Sequence, residues 1–320
     1  MESLYSSCFR KALLGEQPED IRFEEIPMPI VNFGSINLDF VYRVERLVAP
    51  GETIHALSQE RFAGGKGFNQ SIALARAGAR VRHVGKVGED GRWLVEMLKE
   101  EGVETRDIDY AAIPTGHAII QVDARGENSI LVHGGANREF TQDALARACS
   151  TLNREDWVLL QNETNAPARV IESAARKGSR VVFNPSPLDA SILDLPLGRV
   201  DTFLVNRVEG QGLSGESEPD RILDAMQERY PNAATVLTLG DQGVVYARGS
   251  VRLKTAAESV QAVDTTGAGD TFAGYWLAET ASSGDPERAL RLACRAAADC
   301  VGRPGAAASI PRRSALGPPH

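Results

Sequence analysis

Cysteine, positive charge and long apolar runs are all scarce in this chain, and each shortage excludes something. Four cysteines, Cys8, Cys149, Cys294 and Cys300, stand among 320 residues. They show neither the paired framework of a disulfide-stapled domain nor the spacing of a zinc site, so reduced, buried thiols are expected. Lysine and arginine number 35 against 43 aspartates and glutamates, a net charge of -8. That balance argues against nucleic acid or an anionic membrane as partner, because both need clustered cations. It leaves room for a single nucleotide, which a few backbone N–H groups and one or two cations can hold. No apolar run is long enough to span a bilayer, and the opening MESLYSSCFRKALLGEQPED lacks the apolar core of a signal peptide. A soluble, cytoplasmic protein is the expectation. Nor does a G-x-G-x-x-G turn follow the first candidate strand, which disfavours a dinucleotide-dependent oxidoreductase.

What is present is alternation. Residues 1–27 are polar and aperiodic and are expected to form a poorly ordered extension, with one domain over 28–320. Short β-rich runs such as RVRHVGKVG, DWVLLQNE, RVVFNPSP, DTFLVNR and ATVLTLG are interleaved with amphipathic segments such as GRWLVEMLKEEG, ARVIESAARKG and RILDAMQERY. This pattern predicts an α/β fold with a largely parallel sheet. FVYRVERLV and ETIHALSQERFA differ, because they alternate apolar and polar residues on either side of the turn APG. Strands with one wet face are predicted there, as an antiparallel β flap over about 40–63 and parts of 106–133. Ligands of parallel sheets bind beyond the carboxyl ends of the strands. NFGSINLD, LLQNET, FNPSP, LVNRVE and LTLGDQG all place polar residues at such ends.

The densest signal is AVDTTGAGDTFAGYWLAE, residues 262–279. Gly267, Ala268, Gly269 and Asp270 stand where an apolar helical pattern begins. A helix start offers unpaired N–H groups and the positive end of the helix dipole, and so binds anions. An aspartate there repels a phosphate, unless its carboxylate takes the proton of a hydroxyl that attacks that phosphate. The N–H groups of Gly267, Ala268 and Gly269 would then meet the developing charge. The structural alternative is an acidic residue favoured by the helix dipole alone. SINLD adds Asn37 and Asp39, GGKGFN adds Gly65, Lys66 and Asn69, and LLQNE ends in Glu163. Carboxylates and amides suit a neutral polyol, since each can take two neighbouring hydroxyls. Taken singly, each has a plain structural reading as loop cap, turn or solvated cation. Taken together, after successive strands, they outline one site.

AGGKGFNQSIALARAG and DTTGAGDTFAGYWLAE resemble the two glycine signatures of the ribokinase-like (PfkB-type) carbohydrate kinases, and the likeness runs over about residues 30–312. The resemblance implies a three-layer α/β/α sandwich with a mostly parallel central sheet and a small antiparallel β lid. It implies an ATP-dependent kinase that phosphorylates the primary hydroxyl of a sugar, and GSINLD, HGGAN, NPSP and NRVE point to D-ribose. Asp270 is implied as general base, with the 267–270 N–H groups as anion hole. Asn37, Asp39, Gly65, Lys66, Asn69 and Glu163 are implied to hold the sugar. Asn206 and Glu209 match an element tied to Mg2+ and phosphate, while Thr238, Gly240, Gly243 and Gly269 are implied to line ATP. Asp264, Thr266, Cys300, Arg303, Gly305 and Ser309 match an activating K+ site built mostly from backbone carbonyls. The lid is implied to cover the sugar and to pair two subunits into a homodimer.

Two positions depart from the family pattern. Phe68 stands where the motif GGKGAN has alanine, and a ring there either narrows the sugar site or packs beneath the helix. Arg207 replaces an acidic residue after Asn206. Fructose, ketodeoxygluconate, a sugar phosphate and a nucleoside remain alternative substrates within the family. A nucleoside would want aromatic stacking partners in the lid, and a sugar phosphate would want extra cations. A non-catalytic sugar or nucleotide binder on the same fold is the alternative from another class. It predicts loss of the base, the anion hole or the NxxE element, and all three are present.

Overall fold

The computed structural model describes residues 30–317, so the extension expected over 1–27 lies outside the described residues. Nine strands form the large sheet: β1 (Ile30–Phe33), β4 (Val81–Val87), β5 (Glu104–Tyr110), β8 (Trp157–Gln161), β9 (Arg180–Asn184), β10 (Thr202–Asn206), β11 (Ala234–Thr238), β12 (Val244–Arg248) and β13 (Val251–Thr255). Their order is β13-β12-β11-β10-β9-β8-β1-β4-β5. Pairing is parallel from β5 across to β11 and antiparallel through β11, β12 and β13.

Successive strand residues face opposite sides of a sheet, and in its interior both sides are covered, which is why strands such as β8 and β10 read as apolar runs. The edge strands β5 and β13 are instead exposed or half-buried along most of their length. In β8, Trp157 and Leu159 pack into one core and Val158 and Leu160 into the other. Val182 and Leu204 join the first core, while Val181, Phe183, Phe203 and Val205 join the second. Helices α1 (Lys66–Arg76), α2 (Arg92–Glu100), α7 (Ala268–Ser283) and α8 (Pro286–Val301) cover the first face. Helices α3 (Gln142–Ser150), α4 (Pro167–Lys177), α5 (Arg207–Ser214) and α6 (Pro219–Arg229) cover the second. The result is the three-layer sandwich that the resemblance implies. Three cysteines, Cys149, Cys294 and Cys300, are free and buried as expected, and Cys8 lies outside the described residues.

Helix α1 begins inside the glycine motif and crosses the end of β1 at very short range. A Cβ on Gly67 would lie 2.3 Å from Gly34 Cα, so only glycine permits this crossing. It sets Lys66, Asn69 and Gln70 over the carboxyl edge of the sheet. Helix α7 is buried continuously from Asp270 to Glu279, with Phe272, Tyr275, Trp276 and Leu277 in the core, and packs against both α1 and α8.

The small sheet holds β2 (Asn37–Arg43), β3 (Ser58–Gly64), β6 (Gly116–Val122) and β7 (Asn128–His133), in the order β3-β2-β6-β7. Its β2–β3 and β6–β7 pairs are antiparallel, as expected, but the central β2–β6 pair is parallel. The chain leaves the same edge of the large sheet after β1 and after β5, so both continuations run in one direction. The alternating stretches on either side of Pro50 are strands only as far as Arg43 and again from Ser58. Between them the chain bends and turns, closed by Leu57 N donating to Arg43 O at 2.7 Å.

Candidate active site

Beyond the carboxyl ends of β9, β10 and β11 lies a cavity of about 230 Å³. Asn184, Asn206 and Thr238, the last residues of those strands, line it together with Glu209. Lys66 of α1 and Gly267, Gly269 and Asp270 at the start of α7 also line it.

Gly267 caps α7 in the left-handed region, with φ 79°, a conformation nearly closed to residues with a Cβ. This turn brings Ala268 N back to Thr265 O at 3.3 Å. Ala268 N–H, expected in the anion hole, is thus directed into the turn, and Ala268 does not line the cavity. Among the described residues, the N–H groups of Gly267, Gly269 and Asp270 have no acceptor in the protein. Asp270 is only 8% exposed. Its Oδ2 accepts from Asn69 Nδ2 at 3.0 Å and its Oδ1 from Gln70 Nε2 at 2.9 Å. Asn69 Oδ1 is buried without a donor. Such an orphan acceptor costs about 1–3 kcal/mol, which a ligand hydroxyl would relieve.

Next to this pair the site is rich in acceptors. Burial first, and then the charges of Glu163 and Asp270, push Asp39 from 3.8 up to about 7. Burial also raises Glu163, against the opposing pull of Lys66. Glu163 Oε2 accepts from Ser35 Oγ and from Lys66 N, the latter at 2.9 Å. Burial works against the charge on Lys66, but Asp270, Glu163 and Glu209 outweigh it and hold the ammonium above its usual range. Three carboxylates around one ammonium favour hydroxyl donors and disfavour a second phosphate. Asn37 Oδ1 accepts from Asn137 Nδ2 at 2.7 Å. Asn137 is itself pinned to Ile36, accepting from its N at 3.0 Å and donating to its O at 3.2 Å. Gly65, the N-cap of α1, lies against Asn37 N.

Asn206 and Glu209 cap α5 reciprocally: Asn206 Oδ1 accepts from Glu209 N at 2.9 Å, and Glu209 Oε2 accepts from Asn206 N at 2.9 Å. The NxxE spacing therefore serves the helix start while leaving Glu209 on the cavity wall. Thr238 lines the cavity, whereas Gly240 and Gly243 shape the turn after β11 and do not. Asp264 joins the two loops expected to hold a monovalent cation. Its Oδ1 accepts from Thr266 N at 2.9 Å and its Oδ2 from Gly305 N at 2.9 Å. Burial opposes its charge, yet these hydrogen bonds keep the carboxyl below its ordinary range. Cys300 Sγ lies 3.0 Å from Ser309 Oγ and 4.0 Å from Thr266 O. The Arg303 side chain instead pairs with Asp299, at 2.7 Å.

Both departures from the family pattern find a place. Phe68 is fully buried in the core beneath α1 and does not line the cavity. Arg207 donates to Ser217 O at 3.2 Å and faces Glu218, at the start of α6. Residues not singled out from the sequence include Gln70, Gln161, Asn137 and Asn184. Their signal was faint: Gln70 merely follows Asn69, and the others are amides at strand ends or in HGGAN.

Comparison with known proteins agrees with this architecture. A ribokinase of Staphylococcus aureus is 36% identical over 293 residues, covering 88% of this chain and 96% of that protein. A ribokinase of Haemophilus influenzae is 35% identical over 292 residues, covering 88% and 94%. The structure of Arabidopsis thaliana ribokinase complexed with ribose and ATP matches with a TM-score of 0.81 at 31% identity, covering 91% of this chain and 97% of that one. The model of the pfkB family of carbohydrate kinases matches residues 29–313, a span that includes both sheets and every residue of the cavity, and the chain belongs to that family.

Proposed function

We propose that this chain is an ATP-dependent kinase of D-ribose, making D-ribose 5-phosphate. The observation that carries the chemistry is Asp270, a buried carboxylate clamped by two amides beside backbone N–H groups that have no acceptor among the described residues. In this reading the sugar's hydroxyls donate to Asp39, Glu163 and Asn69 Oδ1 and accept from Lys66 and Asn37. The primary hydroxyl gives its proton to Asp270 as its oxygen bonds to the γ-phosphorus of ATP. The bond from that phosphorus to the bridging oxygen breaks, and ADP leaves. The N–H groups of Gly267, Gly269 and Asp270 meet the charge on the phosphoryl oxygens in transit.

Glu209, a carboxylate on the cavity wall, would be the protein ligand of a Mg2+ that arrives on the nucleotide's phosphates. Bound there, the ion would neutralise phosphate charge. For K+, the Asp264 carboxylate, held by Thr266 N and Gly305 N between the 264–266 and 300–309 segments, would supply one negative charge. The lid also bears on assembly. On β7, Ile130, Leu131 and Val132 are 55%, 68% and 54% exposed at a sheet edge that pairs with no further strand among the described residues. Apolar edges of this kind are normally covered, and a second copy of the chain is the proposed cover. Among the described residues no helix is long and apolar enough to cross a membrane.

The test is ADP release with ATP and Mg2+ over a panel of ribose, 2-deoxyribose, fructose, ketodeoxygluconate, a sugar phosphate and adenosine, with and without K+. Ribose-dependent turnover raised by K+ is expected. Preference for another sugar would overturn the substrate and keep the chemistry. Bound ATP with no turnover on any sugar would favour the non-catalytic binder.

A further inference from the structure

A line of fully buried polar side chains runs from Asp270 through Gln70 into the core, and beyond Gln70 the reading above gives its residues no role. Gln70, Asn32, Ser71 and His83 are 0% exposed and Gln161 is 1% exposed. The donor and acceptor roles along this line follow from its far end. His83 Nε2 faces Gly34 O at 3.2 Å. A carbonyl only accepts, so Nε2 carries the ring proton. Burial pulls His83 down to about 4, so the ring is neutral and Nδ1 must accept. Ser71 Oγ, 2.8 Å away, therefore donates to it. Asn32 Nδ2 then donates to Ser71 Oγ at 2.9 Å and to Gly67 O at 2.8 Å, which uses both of its hydrogens. Asn32 Oδ1 accepts from Gln161 Nε2 at 2.9 Å, and the second hydrogen of Gln161 goes to Gln70 Oε1 at 2.7 Å. Only the amino end of Gln70 is left to face the site. It donates to Asp270 Oδ1 at 2.9 Å and to Asn184 Oδ1 at 3.1 Å.

Turning over any one amide would set two oxygens or two amino groups face to face. The line even leaves Gln161 Oε1 buried without a donor, so it is not arranged to satisfy Gln161. We propose that Gln70 is a positioning residue for Asp270, with an amide that Gln161, Asn32, Ser71 and His83 orient so that it only donates. The inference deepens the reading of Asp270 as base and rests on it. Gln70 and Asn69 take one lone pair on each carboxylate oxygen, which fixes the plane of the group. The remaining lone pairs are left for the attacking hydroxyl, on a side chain that lines the cavity. The neighbouring charges are Lys66, Asp39 and Glu163, assigned above to the sugar, and Glu209, which accepts from Asn184 Nδ2 at 3.5 Å. A change in Gln70 alone leaves all four in place and so separates positioning from recognition.

Gln70→Glu keeps the shape, keeps the acceptor toward Gln161 and replaces the donor toward Asp270 with an oxygen. A fall of about 100-fold in kcat is expected, with both KM values within threefold and the acidic limb of the kcat profile moved to higher pH, because the two carboxyls would share a proton. Gln70→Met, which removes the donor without adding charge, should lower kcat about 10-fold while its acidic limb moves less. Should Gln70→Glu fail to fold, Gln70→Met and Gln161→Met carry the test, with ATP binding by titration as the control for an intact cavity. Wild-type kcat and pH profile in these variants, beside an inactive Asp270→Asn, would overturn the positioning role alone. Turnover retained in Asp270→Asn would overturn the base reading itself.

Discussion

The two sheets of this molecule are built on opposite terms. In the large sheet β8 is buried along its whole length, and the residues of its neighbours fill two separate cores. In the small sheet every residue of β7 is exposed, and β3 is exposed until its last two residues. The groups assigned to bond making, Asp270 with Asn69 and Gln70, rest on helices packed against the large sheet. Asp39, assigned to recognition, sits on β2 of the small sheet, and its own burial is unfavourable enough to lift it to about 7. The contrast divides the site: the groups assigned to the reacting atoms all rest on the body, while the sugar contacts are shared between the body, through Lys66, Asn69 and Glu163, and the less supported lid, through Asn37 and Asp39. Changes at Asp270 and Gln70 should act on kcat, and a change at Asp39 on the sugar KM.

The largest effect should come from Asp270→Asn, with kcat down about 100-fold or more and the sugar KM little changed in steady-state assays. Asp39→Asn should reverse that pattern, raising the sugar KM by about 10-fold or more with a smaller loss in kcat. The same variant tests the electrostatics. Folded Asp39 keeps its proton over roughly pH 4 to 7, where the unfolded chain has lost it, so its contribution to stability falls as pH rises through that window. Asp39→Asn should therefore melt above the wild type at pH 8 and near it at pH 4, and kcat/KM for the sugar should rise through pH 7 only in the wild type. Equal melting curves at pH 8 would contradict the assignment of a costly buried carboxylate.

A smaller change is expected from Leu131→Lys at the exposed edge. It should shift the sedimentation profile from dimer to monomer and leave kcat within a few-fold. A monomeric wild type would remove that proposal. The smallest effect belongs to Phe68→Leu in the body, a loss of about 1 kcal/mol in denaturant unfolding with the sugar KM unchanged. A changed sugar preference in that variant would break the separation between core and site.

Much of this was legible before any fold was known. The strands could be read because both of their faces are apolar, and the glycine-rich helix start because backbone groups can approach a ligand only where side chains are small. The small sheet was legible as half-exposed strands, but its parallel centre was not. Pairing direction depends on where β1 and β5 deliver the chain, and no local pattern records that. Gln70 shows the same limit, since one glutamine in a helix looks like any other until Asn184, Gln161 and Asp270 surround it.

By itself, then, the sequence determined the order of strands and helices, the edge at which polar residues collect, and the candidates for base, anion hole and sugar contacts. All of these follow from periodicity and residue chemistry within short windows. The tertiary structure alone decided that Phe68 is core and that Gln70 presents its amino end to Asp270. Those outcomes depend on partners far apart in the chain, such as Gln70 and Asp270, 200 positions away from each other. A hydrogen bond takes its direction from the next group along the line, and only folding puts that group in place.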